Sequence, residues 1–208
     1  MNTLPELITQ ELAEHGFHDV EGNSHQIIPQ VHALYYLSKP PVTSILEIGF
    51  NAGHSSDTFL QHPAARVVSF DLGARPYVSL AKQRMDRIYP GRHTLVLGDS
   101  TVTLPQWISE NPNTTFDVIF IDGGHEEVTV RSDMKHSLLL SHSETLLLMD
   151  DVIYNDGWEA EYTIGPTAVW KEYVAAGRIQ ELGHYDYAPG RGMSWGRVRI
   201  SMEKDSFP

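Results

Sequence analysis

Acidic side chains stand at or near the end of five apolar segments in this chain. In chain order they are Glu47, Asp71, Asp99, Asp122, Asp150 and Asp151. If the segments are parallel strands of one open sheet, these carboxylates lie at the edge of the sheet where such folds bind ligands. Carboxylates at that edge suit a ligand that carries a positive charge and hydroxyl groups, and they also suit a divalent cation.

The loop after the first apolar segment is rich in glycine, which lets a backbone pass close to a ligand. Gly49 and Gly53 bracket this loop, and Ser55 or Ser56 is placed to cap the helix that follows. Asp71 comes 22 residues after Gly49, where the hydroxyl pair of a ribose needs an acceptor. A tight turn without a ligand, and a helix-capping or surface role for Asp71, are the alternatives at this point.

The side chains of the loop separate two kinds of cofactor. A dinucleotide-binding loop has the pattern G-x-G-x-x-G, which keeps backbone bare around a pyrophosphate. Here Asn51 and His54 occupy the second and third glycine positions, and the carboxylate of Glu47 precedes the loop. S-adenosylmethionine has no phosphate and carries a positive sulfur and amino group. The loop therefore favours S-adenosylmethionine over NAD.

The placement of these residues at one edge depends on a regular alternation of strands and helices. Strands are predicted at 44–48, 67–70, 94–97, 116–121 and 145–149, with helices at 55–60, 76–89, 104–110, 128–140 and 167–176. Strands that are apolar on both faces and separated by helices indicate a parallel sheet covered on both sides. Two last strands, 179–187 and 193–201, flank a turn at 188–192 and predict an antiparallel hairpin at one sheet edge. The predicted fold is α/β, a Rossmann-like doubly wound sheet of seven strands with helices on both faces.

Two helices are predicted before the first strand. The first begins at a capping box, residues 3–6, and ends at Gly16; the second runs from Ser24 to Leu37 and starts later if Pro29 sets its first turn. No linker separates them from the rest of the chain. We therefore expect residues 1–40 to belong to the same domain as residues 41–208, which form the S-adenosylmethionine-binding part.

Composition excludes several classes of function. The formal net charge of −12 repels phosphate backbones and anionic lipid, so neither nucleic acid nor a membrane is an expected partner. No apolar run reaches the roughly 20 residues that span a bilayer, and the N-terminus lacks the pattern of a secretory signal. The absence of cysteine excludes disulfides and thiolate metal sites. A cytoplasmic protein acting on a small molecule is expected, and a homodimer is compatible with the sequence.

Three segments resemble class I S-adenosylmethionine-dependent methyltransferases. Residues 45–56 are similar to the first motif of that class, and residues 121–125 and 148–152 are similar to a bacterial group of small-molecule enzymes with a methyltransferase-24 domain. That group resembles cation-dependent O-methyltransferases of the catechol and macrolide-sugar types. The resemblance covers roughly residues 22–200 and implies metal-assisted O-methylation of a small hydroxylated metabolite.

The resemblance also implies roles for the matching positions. The implied cofactor-binding residues are Glu47, Gly49, Phe50, Asn51, Gly53, Ser55, Asp71, Leu72, Asp99, Ser100, Asp122 and His125. Among them, Asp71 accepts from the ribose hydroxyls, and Asp99 and Ser100 contact the adenine. Mg²⁺ or another divalent cation is implied at Asp122, Asp150 and Asp151. Catechol-type relatives carry Asp-Asn in place of the last pair, and macrolide-sugar relatives carry Asp-Asp.

Asp122 and His125 are the candidate catalytic residues. Catechol-type relatives place a lysine where this chain has His125, so the predicted base is a neutral imidazole. The alternatives are a helix-start role for His125 and a polar strand exit for Asp150 and Asp151. At the level of function, the alternatives are a metal-independent N- or C-methyltransferase and a non-catalytic nucleotide-binding domain of the same fold. Residues 152–162 show no clear period and are expected to form part of the acceptor pocket, a lid or a surface loop.

Overall fold

The structure is a computed structural model, and it describes residues 4–18, 20, 22 and 26–199. The helices are α1 (Leu4–Glu14), α2 (Ile28–Leu37), α3 (His54–Leu60), α4 (Val78–Ile88), α5 (Ser100–Glu110), α6 (Glu127–Leu139) and α7 (Glu161–Ala175). The strands are β1 (Ser44–Ile48), β2 (Arg66–Asp71), β3 (His93–Leu97), β4 (Phe116–Ile121), β5 (Ser141–Asp150), β6 (Ile179–Ala188) and β7 (Arg191–Val198). They form one seven-stranded sheet in the order β3-β2-β1-β4-β5-β7-β6. The predicted fold class is confirmed.

The chain divides into two compact units, residues 1–106 and 107–208. The first unit holds α1 to α4 and β1 to β3, the second holds β4 to β7, α6 and α7, and α5 spans the division. The predicted grouping of residues 1–40 and 41–208 into one domain stays a prediction. Among the described residues, no helix has the length and apolar character needed to cross a membrane.

In the first unit, β1, β2 and β3 are parallel neighbours, so their carboxyl ends lie at one edge. Glu47 is paired with Ser69, and Asp71 with Leu97. β1 is buried along most of its length and β2 in part, because apolar side chains point to both faces, as expected for a parallel sheet. β3, at the edge of the sheet, is buried only at His93. The described part of α1 contributes Ile8 and Leu12 to a cluster with residues near the glycine-rich loop.

In the second unit, β4 and β5 are parallel, and the hairpin of β6 and β7 continues the sheet from β5 in antiparallel pairing. Ile121 is paired with Met149, so Asp122 and Asp150 follow neighbouring positions at the same edge. The predicted C-terminal hairpin is confirmed, although its predicted last residue, Ser201, lies outside the described residues.

Two predicted boundaries in the second unit are wrong. β5 starts at Ser141, four positions earlier than predicted, because Ser141 already pairs with Phe116 of β4. The register then shifts between Phe116 and Val118, and the hydroxyl of Thr145 donates to the Phe116 carbonyl (2.6 Å). α7 starts at Glu161, before the predicted start at residue 167. The prediction was wrong because the first turns of the helix contain Gly165 and Pro166, two residues that disfavour helices. A Cβ at position 165 would lie 2.2 Å from the carbonyl oxygen of residue 125, so close packing explains this glycine.

In the first unit, α5 starts at Ser100, four positions before the predicted start at Leu104. α2 starts at Ile28, which agrees with the later start that Pro29 predicts. The proposed cap Thr3 and the earlier start Ser24 lie outside the described residues.

Candidate cofactor loop and candidate cation site

The glycine-rich loop between β1 and α3 uses backbone conformations that favour glycine. Gly49 has φ of 101° and Gly53 has φ of 79°. A Cβ at Gly53 would lie 2.9 Å from the ring of Phe50. Asn51 also has positive φ, 50°, which asparagine tolerates better than most residues. The predicted bracket of two glycines is therefore a backbone requirement of this loop.

Glu47 lies in the interior of the first unit and not on an open edge. Its side chain is fully buried, and its carboxylate accepts hydrogen bonds from three serine hydroxyls, Ser55, Ser56 and Ser69, each at 2.5 Å. Burial raises the pKa of Glu47 to about 7, although the three hydroxyl donors act in the opposite direction. His93 is within hydrogen-bond distance of Ser69 (2.9 Å), and burial lowers the pKa of His93 to about 4.

This network corrects one prediction. Ser55 and Ser56 do not cap α3, because the N-cap residue is Gly53 and no side chain bonds there. Their hydroxyls donate to Glu47 instead. The serines were correctly placed beside the loop, but they stabilise it from the buried side.

Asp71 ties the end of β2 to the glycine-rich loop. Oδ2 accepts from the backbone amides of Phe50 (3.1 Å) and Asn51 (2.7 Å), and Oδ1 accepts from the amide of Gly73 (2.7 Å). The side chain is half-buried. Asp71 is thus neither a helix cap nor an isolated surface acid, and it orients the loop that was predicted to meet the cofactor.

The ends of β2 and β3 combine polar and apolar groups. Asp99 Oδ1 accepts from the amide (2.9 Å) and hydroxyl (2.7 Å) of Thr101, and these bonds hold the pKa of Asp99 below its usual range. Ser100 begins α5. Leu72, the residue after β2, is 67% exposed, and Leu97, the last residue of β3, is 58% exposed. Leu97 was not among the predicted site residues, although an apolar side chain at a strand end beside Asp99 was a visible signal.

In the second unit the three predicted metal ligands come together. Asp122 follows β4, Asp150 ends β5 and Asp151 is the next residue. One carboxylate oxygen of each lies within 4.8 Å of the other two. Asp150 and Asp151 are buried and Asp122 is half-buried. Carboxylates this close repel one another unless a cation or hydrogen bonds compensate.

Asp151 is the most unusual residue of this cluster. Its φ is 59°, in the left-handed region that costs a non-glycine residue about 1 kcal/mol or more. Its Oδ1 atom is buried without a hydrogen-bond partner. A strained backbone and an unpartnered buried oxygen typically mark a functional site. The donor set of three carboxylates fits a hard divalent cation such as Mg²⁺.

His125 is held by the second oxygen of Asp151. Nε2 lies 3.0 Å from Asp151 Oδ2, and the side chain is 45% exposed. That hydrogen bond is the main cause that raises the pKa of His125. The helix-start alternative for His125 is wrong, because α6 begins at Glu127 with Glu126 as its N-cap.

The family comparison joins these observations. The model of the methyltransferase-24 family, described as a methyltransferase domain, matches residues 46–152, slightly more than half of the chain. The matched segment begins in β1, beside Glu47, and ends just after Asp151. The chain belongs to this family of class I, S-adenosylmethionine-dependent methyltransferases.

Solved structures share the fold of this methyltransferase. An O-methyltransferase from Bacillus cereus, in complex with SAH, is 19% identical with a TM-score of 0.73, and the alignment covers 96% of this chain and 92% of that one. The O-methyltransferase TomG from Streptomyces achromogenes, involved in tomaymycin synthesis and in complex with SAM, is 18% identical with a TM-score of 0.74 (95% and 90% covered). Cofactor-bound Rv0187 from MTB is 18% identical with a TM-score of 0.77 (96% and 92% covered). No curated protein matches the sequence.

A small cleft in the methyltransferase lies against the three carboxylates. His125 and Pro166 also line it. The ring of Tyr162 lies 5.6 Å from that of His125, centroid to centroid, and provides an aromatic surface beside it.

Proposed function

We propose that this methyltransferase transfers the methyl group of S-adenosylmethionine to a hydroxyl oxygen of a small acceptor, with a divalent cation at Asp122, Asp150 and Asp151. The observation that carries the proposal is the convergence of three carboxylates, together with a buried oxygen of one of them, Asp151 Oδ1, that has no partner. The fold shared with solved O-methyltransferases supports oxygen as the methylated atom.

The residues proposed for S-adenosylmethionine lie mainly in the first unit. We propose that the loop Gly49–Gly53 approaches the ligand with its backbone. The amides of Phe50 and Asn51 donate to Asp71 and the ring of Phe50 is buried, so Phe50 is proposed to support the loop from the interior. Asp71 keeps lone pairs for the ribose hydroxyls beyond its three backbone bonds. Leu72 and Leu97 offer exposed apolar surface for the adenine, with Asp99 and Ser100 as polar neighbours. The SAM and SAH complexes of structural relatives support this assignment.

Four residues of the proposed cofactor set have a less direct role. Glu47 and Ser55 stabilise the loop from the interior, so we propose that they shape the methionine end of the pocket without open contact. Asp122 and His125 stay proposals as cofactor contacts, because their observed neighbours belong to the carboxylate cluster.

The chemistry follows from the acceptor. A hydroxyl is a weak nucleophile until it loses its proton, and methyl transfer is an in-line displacement that requires the oxygen to face the sulfonium carbon. A divalent cation supplies Lewis acidity that lowers the pKa of an acceptor hydroxyl. His125 is proposed to accept the proton, while Asp151 orients its ring through the 3.0 Å contact. The C–O bond forms as the C–S bond breaks, and S-adenosylhomocysteine leaves.

Two measurements test this function. Calorimetry with S-adenosylhomocysteine and with NADH separates a methyltransferase from a nicotinamide enzyme; we expect binding of the first only. Release of S-adenosylhomocysteine is then measured with a panel of catechols, phenols and hydroxylated sugars, with Mg²⁺ or with EDTA. We expect turnover that EDTA abolishes and Mg²⁺ restores, and that Asp122→Asn lowers by at least about a hundredfold. Full activity in EDTA contradicts the cation and favours metal-independent methylation of nitrogen or carbon.

The role of His125 has its own test. We expect His125→Ala to lower turnover and to remove the acidic limb of the pH profile, because the neutral imidazole accepts the proton. An unaltered rate over the range from about pH 6 to 9, where an imidazole changes its charge, would show that His125 is not the base.

A further inference from the structure

The segment that follows the proposed cation site is bound to α7 by the hydroxyl of Thr167. The hydroxyl of Thr167 lies 3.4 Å from the carbonyl oxygen of Asp151, to which it donates, and it accepts from the amide of Ile153 at 3.0 Å. One side chain therefore spans the peptide groups on both sides of Val152, directly after the proposed ligand. Val152 and Ile153 are buried.

The next two amides are bound by a carboxylate from β6. Asp186 accepts from the amide of Tyr154 at 3.2 Å (Oδ1) and 3.1 Å (Oδ2), and from the amide of Asn155 at 2.6 Å (Oδ2). This approach needs a glycine on the paired strand β7. A Cβ at Gly192 would lie 2.3 Å from the carbonyl oxygen of Val152 and 3.0 Å from Asp186 Oδ1.

Two further side chains hold the same segment. Lys171 donates to the carbonyl of Ile153 (3.2 Å), and its ammonium lies 4.5 Å from the ring centre of Tyr154. The hydroxyl of Tyr154 donates to Glu181 at 2.5 Å. Residues 151–155 are thus bound from α7 and from β6, which favours a fixed wall and not a lid at these positions.

We propose that Thr167 and Asp186 are positioning residues that hold residues 151–155, and with them the Asp151 carboxylate, in the conformation that completes the cation site. The inference rests on the proposed cation at Asp122, Asp150 and Asp151. A left-handed conformation at Asp151 persists only where the surrounding structure enforces it. Thr167 bonds the two peptide groups directly after this residue, and Asp186 bonds the next two amides, while Lys171 adds a bond to the Ile153 carbonyl. Removing the bonds from Thr167 and Asp186 lets Asp151 relax and separates its carboxylate from the other two.

The test is the affinity of the full chain for Mn²⁺, a substitute for Mg²⁺, measured by calorimetry without cofactor or acceptor. Thr167→Val keeps the shape of the side chain and removes the hydroxyl. We expect it to weaken Mn²⁺ binding by about tenfold, as is common when a residue that orients a metal ligand is lost. Thr167→Ser keeps the hydroxyl and is expected to restore the affinity. Asp186→Ala is expected to weaken binding to a similar degree.

Two controls separate positioning from general damage. Asp156→Asn removes an exposed carboxylate from the same segment of chain and is expected to leave Mn²⁺ affinity unchanged. The affinity for S-adenosylhomocysteine is expected to be unchanged in Thr167→Val, whereas a misfolded protein would lose both. If Asp186→Ala does not fold, the comparison of Thr167→Val with Thr167→Ser still decides whether the Thr167 hydroxyl positions the cation site.

The outcomes distinguish this inference from the function on which it rests. If the native chain binds Mn²⁺ and Thr167→Val binds it equally well, the positioning role is wrong while the cation site stands. If Thr167→Ser is as weak as Thr167→Val, the hydroxyl is not the positioning group. If the native chain binds no Mn²⁺, both the cation site and this inference are overturned.

Discussion

Two buried acids of this methyltransferase have opposite surroundings: Glu47, near the end of β1, and Asp151, directly after β5. Glu47 sits in a regular strand, and three serine hydroxyls donate to its carboxylate. Asp151 has a left-handed backbone, a buried oxygen without a partner and two further carboxylates beside it. The first site is complete within the chain. The second is the site at which we propose that a cation binds, and this proposal assigns a structural role to Glu47 and a functional role to Asp151.

The largest expected effect is the loss of stability when Glu47 is replaced. Glu47→Ala leaves three serine hydroxyls without their acceptor and opens a cavity in the first unit. We expect the free energy of unfolding to fall by about 4 kcal/mol, measured by urea denaturation. Glu47→Gln fills the same volume and is expected to lose less. Equal stability of Glu47→Ala and the native chain would contradict a structural role.

The pH dependence of stability gives the next effect. The folded pKa of Glu47 is about 7, above its usual 4.5, so its contribution is fully present below pH 4.5 and is lost as pH rises through 7. His93 acts in the opposite direction: its folded pKa of about 4 is below its usual 6.5, so its contribution is present above pH 6.5 and is lost as pH falls through 4.

Replacing Glu47 with glutamine separates the two contributions. Of these two contributions only that of His93 is left in Glu47→Gln, so we expect the stability of the variant to rise with pH relative to the native chain, in which the two offset each other. Relative to the native chain, the variant is expected to gain about 3 kcal/mol between pH 4.5 and 7. Urea denaturation at a series of pH values measures this difference. Parallel curves for the two proteins would show that Glu47 does not titrate in that range.

Replacing Asp151 is expected to change the free energy of unfolding by less than replacing Glu47, and in the opposite direction. Asp151→Gly removes the unpartnered oxygen and allows positive φ without strain, so we expect the free energy of unfolding to rise by about 1 kcal/mol. The same variant is expected to lose Mn²⁺ binding. Asp150→Gly is the matched control, because it removes a carboxylate from a strand without relieving strain and should lower stability. A clear loss of stability in Asp151→Gly would show that Asp151, like Glu47, stabilises the fold, and would contradict this prediction.

The strand-end rule placed all these acids at one edge of the sheet, and the resemblance selected Asp122, Asp150 and Asp151, which the structure brings together. For Glu47 the rule was wrong, because its side chain is fully buried. Ser55 and Ser56 were predicted as helix caps and instead donate to Glu47, because the direction of a serine hydroxyl depends on which strand packs behind it. The start of α7 was hidden by Gly165 and Pro166, whose local preferences disfavour a helix that tertiary packing stabilises.

The residues around Asp151 illustrate what a single sequence does not reveal. Thr167 and Asp186 contact residues 151–155 from α7 and β6, distant in the chain, through bonds to backbone atoms. Backbone partners leave no pattern of residue types. The exposed Leu97, by contrast, could have been found, because an apolar side chain at the ligand-binding end of a strand suits a cofactor ring.

The comparison between the two acids is tested most directly by the effect of Mn²⁺ on the unfolding midpoint. A ligand that binds only the folded state stabilises it, by about 2.7 kcal/mol at a hundred times its dissociation constant. We predict that Mn²⁺ raises the midpoint of the native chain and of Glu47→Gln by the same amount, and leaves Asp150→Asn unchanged. No shift in the native chain, or an equal shift in Asp150→Asn, would contradict the account.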